Sequence, residues 1–336
     1  MRTLLVTHPV FYRHASEHWH PERPERLDAV IEGVRRARHE LQEAAAPEID
    51  LELIRAVHDA EYIRSIEAFC RSGGGHLDPD TYATPASWEA ALRSAGAGVV
   101  AVDRLQAGAI DTAFLAIRPP GHHAVANQAM GFCLFNNVAI VARMLVGGGA
   151  RVAIVDWDIH HGNGTQDMFD DDPSVLYVSF HQYPFYPGTG WLDETGYGPG
   201  RGTTVNIPLP ALSGGDVYRA GYEQIVAPIL AEFEPDWILI SAGFDAHELD
   251  PLADGMLVAS DYQFLSSKLA AAVPTGRMIY FLEGGYDLAA VRDSVTASLE
   301  GAAGFAVSPA EPNSSSPGAW RILELVRRAQ SEFWML

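Results

Sequence analysis

Short, nearly uninterrupted apolar runs alternate along this chain with longer amphipathic stretches, and this alternation narrows the possible folds more than any other feature. The runs Thr3–Thr7, Thr112–Ile117, Arg151–Asp156, Val175–Phe180, Thr203–Ile207, Trp237–Ser241 and Arg277–Leu282 read as strands. Helical periodicity fills Pro24–Arg38, Trp88–Leu105, Asn136–Leu145, Asp216–Glu232, Asp261–Ala272 and Leu288–Ala302. Strands that lack polar alternation must be covered on both faces. The pattern therefore predicts an α/β fold, a single parallel sheet flanked by helices on both sides. Residues 1–305 read as one domain. The remainder, 306–336, holds a Pro/Ser-rich stretch (Ser308–Gly318) and reads as leading to a C-terminal helix packed on the same domain.

In open parallel sheets, ligands sit beyond the carboxyl ends of the strands. Here those ends are chemically crowded: RPPGHHA follows Ile117, DWDIHHGNGT follows Val155 and SFHQYPFYPGTG follows Val178. SAGFDAHELDP follows Ile240, and LEGGYD follows Phe281. The balance of 43 acidic against 23 basic residues (net charge −20) disfavours a nucleic-acid partner and suits either a cationic ligand or plain solubility. Cys70 and Cys133 are too far apart in sequence to suggest a disulfide framework or a cysteine zinc cluster. The first apolar run is too short for a signal segment, and nothing approaches the ~18 apolar residues of a membrane span. A cytoplasmic location without membrane contact is the expectation.

Asp158 and His160, two residues apart in what reads as an extended segment, would point to the same side and could converge on one metal ion. A catalytic zinc needs a third protein ligand and an open position, and Asp245 beyond the strand Trp237–Ser241 is the best candidate. The adjacent pair His122–His123 suits general acid–base work, since amide cleavage needs a proton delivered to the leaving amine. The glycines of Gly284-Gly285-Tyr286 let the backbone approach a site closely, with the tyrosine hydroxyl free to donate to an oxyanion. Aromatic residues in GFC (131–133) and YPFYPGTG (183–190) either wall a narrow apolar tunnel or belong to ordinary loop packing.

Taken in order, RPPGHHA, GFCLFNN, VDWDIHHGNGT, VSFHQYPFYPGTG, SAGFDAHELDP and EGGYD resemble successive active-site segments of the histone deacetylase and acetylpolyamine amidohydrolase family. The likeness runs from Leu4 to about Gly304, and HHGNGT with DPDTYATP is similar to the class II branch. It implies the arginase–deacetylase fold and a zinc-dependent deacetylase, with Fe2+ as the alternative ion in the cell. Asp158, His160 and Asp245 would hold the metal. His123 would be the general base and then acid, His122 its charged neighbour bonded to Asp156, and Asn163 the residue orienting His123. Tyr286 would polarise the acetyl carbonyl, and the Gly131 carbonyl would accept the substrate amide hydrogen. Phe132 and Tyr186 would wall the tunnel, and Asp80 would grip substrate at the rim. A structural K+ site is implied on Asp156, Ser179, Phe180, Asp158 and His160. Arg26, in HPERPER, falls where the family has an arginine near an internal acetate channel.

The resemblance implies removal of acetyl from the side-chain amine of acetyl-lysine in a peptide or protein, or from an acetylated polyamine. In the polyamine-selective branch related to class II, an acidic residue tends to follow the D-P after the metal aspartate. Here Leu252 follows Asp250-Pro251, which favours lysine. A binuclear manganese ureohydrolase would need bridging aspartates that GFDAHELD does not offer. A catalytically weak acetyl-amine-binding protein is disfavoured by the presence of His122, His123 and Tyr286. Homo-oligomerisation is left open.

Overall fold

The computed structural model describes residues 1–307 and 315–336, so most of the Pro/Ser-rich stretch, 308–314, lies outside the described residues. In chain order the strands are β1 (Arg2–Thr7), β2 (Glu40–Ala45), the short antiparallel pair β3 (Gly75–His76) and β4 (Tyr82–Ala83), and β5 (Thr112–Leu115). They continue with β6 (Val152–Asp156), β7 (Val175–Gln182), β8 (Thr204–Leu209), β9 (Trp237–Ala242) and β10 (Met278–Leu282). All except β3 and β4 join one parallel sheet in the order β2-β1-β5-β10-β9-β6-β7-β8. Every residue of β5, β6, β9 and β10 is buried. Because alternate side chains leave opposite faces, both faces of the sheet are covered. β2 was not among the expected strands. Its sequence ELQEAA has no apolar run, and it forms an edge strand held by backbone pairing to β1, with Arg2 opposite Glu40.

The helices are α1 (Glu25–Arg36), α2 (Leu51–Arg55), α3 (Ala60–Arg71), α4 (Ser87–Gln106), α5 (Asn137–Gly147) and α6 (Asn163–Phe169). They are followed by α7 (Gly215–Gly221), α8 (Ala227–Phe233), α9 (Ala259–Ala271), α10 (Leu288–Ala302) and α11 (Pro317–Gln330). The single helix expected over Asp216–Glu232 is α7 and α8 joined through a π turn at Tyr222–Val226. α10 packs between α1 and α9, α4 packs on α5, and α11 lies against β8.

Strand order explains where a site can form. From β6 the chain moves outward through β7 to β8, whereas from β9 it steps the other way to β10. The loops leaving the adjacent strands β6 and β9 thus diverge and open a crevice at their carboxyl ends, the usual ligand position in such sheets.

Beside this crevice lies a fully buried charged triad. The Glu22 carboxylate takes Arg26 Nη1 at 3.0 Å on Oε1, which Arg118 Nε also reaches, and Arg118 Nη2 at 2.6 Å on Oε2. Burial raises the Glu22 pKa, but Arg118 and Arg26 outweigh it and hold the group at about 2. A carboxyl depressed in the folded state stabilises the fold fully above its unfolded value and loses that contribution as pH falls toward the folded one. Glu22→Gln is therefore expected to cost roughly 3–5 kcal/mol in urea unfolding at neutral pH, because it leaves two buried guanidiniums short of an anion. The gap between wild type and variant should narrow as pH is lowered from about 4.5 toward about 2.

Candidate active site

The segment after β6 is not extended, contrary to the expectation from alternation. The strand ends at Asp156, whose Oδ1 accepts from Asp158 N (3.1 Å), and Asp158 Oδ1 then accepts from His160 N (2.9 Å). Each short carboxylate bonds the N–H two residues on and so turns the chain. These two turns, rather than strand pleating, bring Asp158 and His160 together. Asp245 arrives from the loop after β9, and its Oδ1 accepts from Ile159 N at 3.0 Å. His160 Nδ1 lies 3.1 Å from both Asp158 Oδ1 and Asp245 Oδ2, and one ligand atom from each residue lies within 4.8 Å of the others. Among the described residues this is the one such group of acidic, histidine or cysteine side chains.

The donor set fits a divalent metal. Two buried carboxylates meet here, and burying such charge without a cation is costly. Glycines clear the space around them. A Cβ on Gly284 would stand 2.1 Å from Asp245 Oδ2 and 2.6 Å from Asp158 Oδ2, and one on Gly243 would stand 2.1 Å from Asp158 Oδ2. Three protein ligands, of which Asp158 and His160 line a cavity, leave a position for a reacting group.

The loop after β5 is fixed by Glu283, whose Oε2 accepts from Gly121 N (2.7 Å) and His122 N (3.2 Å). His122 Nδ1 sits 2.9 Å from Asp156 Oδ2, which Tyr177 OH also reaches at 3.3 Å. Burial disfavours the charged imidazole of His122, but Asp156, Asp158 and Glu283 outweigh it and push its pKa up to about 10. His123 is the opposite case. Burial lowers its pKa well below the ordinary value, and His122 and His160 lower it further. Its Nδ1 lies 2.9 Å from Asn163 Oδ1. An amide oxygen only accepts, so the neutral ring carries its hydrogen on Nδ1 and leaves Nε2 with a lone pair. Two adjacent histidines thus differ in charge because carboxylates offset burial at His122, whereas at His123 burial is reinforced by two neighbouring imidazoles.

Above these groups is a cavity of about 250 Å³ lined by Asp80, Phe132, Tyr186, Leu252 and Tyr286, with His122, His123, Asp158 and His160 also on its surface. Gly131 and Phe132 both have left-handed backbone, at φ +55° and +69°. Gly131 cannot carry a side chain, because a Cβ there would fall 2.3 Å from His123 Cδ2. The Phe132 ring stands edge-on to Tyr286 at 6.1 Å, and Tyr186 stands edge-on to His123 at 5.2 Å. Burial raises the Tyr286 pKa well above its ordinary value, with Asp245 adding to the effect, so the hydroxyl remains a donor. Asp80 accepts from Thr81 Oγ1 at 2.8 Å. Asp156, the last residue of β6, is the register partner of Ser179 within β7, with Phe180 next to it; Ser179 Oγ lies 2.9 Å from His181 Nδ1. Arg26 is buried beneath the site, its Cζ 5.0 Å from the Tyr286 ring centroid.

Residues 20–302 match the family model described as the histone deacetylase domain. The chain belongs to the histone deacetylase family. Relatives in the family include "Histone deacetylase 10, chloroplastic" of Oryza sativa subsp. japonica, 39% identical over 82% of this chain and 68% of that protein. "Histone deacetylase-like amidohydrolase" of Pseudomonas aeruginosa is 38% identical over 87% of this chain and 78% of its own length. The crystal structure of the HDA15 HD domain superposes with a TM-score of 0.91 at 35% identity, covering 99% of this chain and 95% of that one. The parallel sheet with its flanking helices is the arginase–deacetylase fold of histone deacetylases, and membership makes this chain a deacetylase-type amidohydrolase.

Several residues that shape the site carry no separate signal in the sequence. Glu283, Asp250, Tyr177 and Glu22 each act through hydrogen bonds or ion pairs to residues distant in the chain. Glu283 and Asp250 fall inside quoted motifs, but nothing in EGGYD or HELDP says which distant N–H groups their oxygens meet. For this histone deacetylase family member, Gly243→Ala should weaken metal binding roughly 10–100-fold, as changes beside metal ligands do, with the fold retained. Competition with a chromogenic chelator would measure it, and unchanged affinity would contradict the metal assignment of Asp158.

Proposed function

We propose that the protein is a zinc-dependent lysine deacetylase that hydrolyses the acetyl amide on the side-chain amine of acetyl-lysine in a peptide or protein. One observation carries this reading: Asp158 and His160 of the Asp158–His160–Asp245 group, His123 with its Nε2 unprotonated, and Tyr286 line one aromatic-walled cavity. Such a cavity suits an extended alkyl chain that ends in a planar amide. Asp158, His160 and Asp245 would hold zinc, which when bound supplies Lewis acidity to the carbonyl and to a water.

The remaining chemistry belongs to the chain. His123 Nε2 accepts a proton from the attacking water and returns it to the departing nitrogen. A C–O bond forms, the C–N bond breaks, and acetate and a free amine result. Asn163 holds His123 in the tautomer this requires, and His122, kept charged by Asp156, favours electron density gathering nearby. Tyr286 donates to the carbonyl oxygen as charge develops on it. The Gly131 carbonyl and the Asp80 carboxylate would accept from the substrate's amide and backbone N–H groups, while Phe132 and Tyr186 exclude water. Asp156, Ser179 and the carbonyls of Asp158, His160 and Phe180 would hold a structural potassium ion beneath. A cytoplasmic setting suits the two unpaired cysteines.

Leu252 on the cavity wall favours lysine over a polyamine, because no carboxylate meets a second ammonium there. The acidic net charge and Asp80 keep acetylated polyamines as the competing substrate. Steady-state hydrolysis of an acetyl-lysine peptide and of an acetylated polyamine by the zinc-loaded protein separates the two. The peptide is expected to be preferred, and Tyr286→Phe should lower kcat roughly 10²–10³-fold. Preference for the polyamine would overturn the substrate assignment and leave the chemistry intact. Absence of turnover with both substrates, zinc being in place, would sink the deacetylase reading for them.

A further inference from the structure

The loop carrying Tyr286 begins with two glycines, and Gly285 has φ +111°, a region other residues enter only with strain. Such a segment has little stiffness of its own. A hydroxyl meant to meet a developing charge must nevertheless be held closely, since misplacement of about 1 Å can cost 10²-fold in rate.

The stiffness comes from outside the loop. Glu283 N donates to Ala242 O at 3.2 Å, and the Glu283 carbonyl accepts from Arg26 Nη2. Gly284 N donates to Asp158 Oδ2 at 2.8 Å, and its carbonyl accepts from Phe244 N at 3.0 Å. The Gly285 carbonyl accepts from Arg26 Nε at 2.6 Å. The last tether is Tyr286 N, which donates to Asp250 Oδ2 at 2.7 Å.

Asp250 differs from the other tethers. Its second oxygen accepts from Leu252 N at 3.0 Å, so one carboxylate binds the backbones of two cavity-lining residues on different loops. Asp250 is 8% exposed and makes no ion pair among the described residues. Burial, with Asp245 nearby, raises its pKa to about 7. A buried carboxylate without a paired cation is a poor stabilising device, which points to a use in geometry.

We propose that Asp250 is a positioning residue for the reaction: its carboxylate, anchored at its other oxygen on Leu252 N, sets Tyr286 against the substrate carbonyl. This rests on the reading of Tyr286 as the oxyanion donor. Asp250→Asn keeps the size of the side chain but turns an NH₂ group toward one of the two N–H donors, so one bond is lost. Asp250→Glu keeps the charge and displaces the acceptor by a methylene, and serves if the asparagine variant fails to fold.

The test is a double-mutant cycle on the zinc-loaded enzyme, with kcat expressed per folded, zinc-containing site, combined with amide hydrogen exchange. With Tyr286 present, either Asp250 variant should lower kcat roughly 10–100-fold and leave KM within about twofold. In the Tyr286→Phe background the same change should have almost no effect on kcat. Exchange should accelerate in the peptide spanning 283–287 and stay unchanged in β9. Equal kcat losses in both backgrounds, no kcat loss at all, or exchange accelerated throughout the sheet would each overturn the proposal. If Tyr286→Phe alone turns over like wild type, the donor reading itself falls and takes this inference with it, a result visible before Asp250 is altered.

Discussion

Five carboxylates, Asp156, Asp158, Asp245, Asp250 and Glu283, are buried at the carboxyl ends of neighbouring strands, and the need to neutralise and solvate them governs much of what surrounds them. Charge of one sign packed in low dielectric is tolerated only where hydrogen bonds and cations replace water. Each accepts through at least one oxygen from a neighbouring loop or from the next turn of its own. Asp156 turns the chain into Asp158, Asp158 reaches Gly284, Asp245 reaches Ile159, and Glu283 holds Gly121 and His122. The loops are therefore tied to one another through carboxylates, and none of them has its shape independently. A divalent metal at Asp158, His160 and Asp245 would supply the positive charge that this arrangement lacks.

The same field separates the two histidines. His122 faces Asp156 and is driven toward the charged form, whereas His123, buried and beside the imidazoles of His122 and His160, is driven toward the neutral one. Adjacent residues of one type, in one turn, thus receive different protonation states from partners on different strands. This is the pattern by which a site obtains a base and a fixed charge from the same chemistry.

Much of this was legible from the residues. The continuous apolar runs require a sheet covered on both faces, and the histidines, aspartates and glycines after those runs locate the crevice. β2 was not legible, because an edge strand takes its conformation from backbone pairing with β1 and needs no apolar side chains. Strand alternation predicts that Asp158 and His160 converge by pleating, but they converge through two side-chain-capped turns. Side-chain-to-backbone bonds end the strand at Asp156, and whether a local carboxylate captures an N–H depends on what else the backbone could pair with there.

By itself, the sequence determined the fold class, the strand ends where histidines, aspartates and glycines gather, and the candidate groups for binding a metal or moving a proton. These are properties of residue type and of spacing along the chain, and they survive without coordinates. Only the tertiary structure decided which oxygen meets which N–H: that Glu283 fixes the histidine turn, that Glu22 joins Arg26 to Arg118, and that Asp250 links Tyr286 to Leu252. Through such contacts, residues distant in the chain (Gly121 and Glu283, Arg26 and Arg118, Leu252 and Tyr286) are brought together by short-range, directional bonds. Their geometry exists only once strand order has placed β5, β10, β9 and β6 side by side.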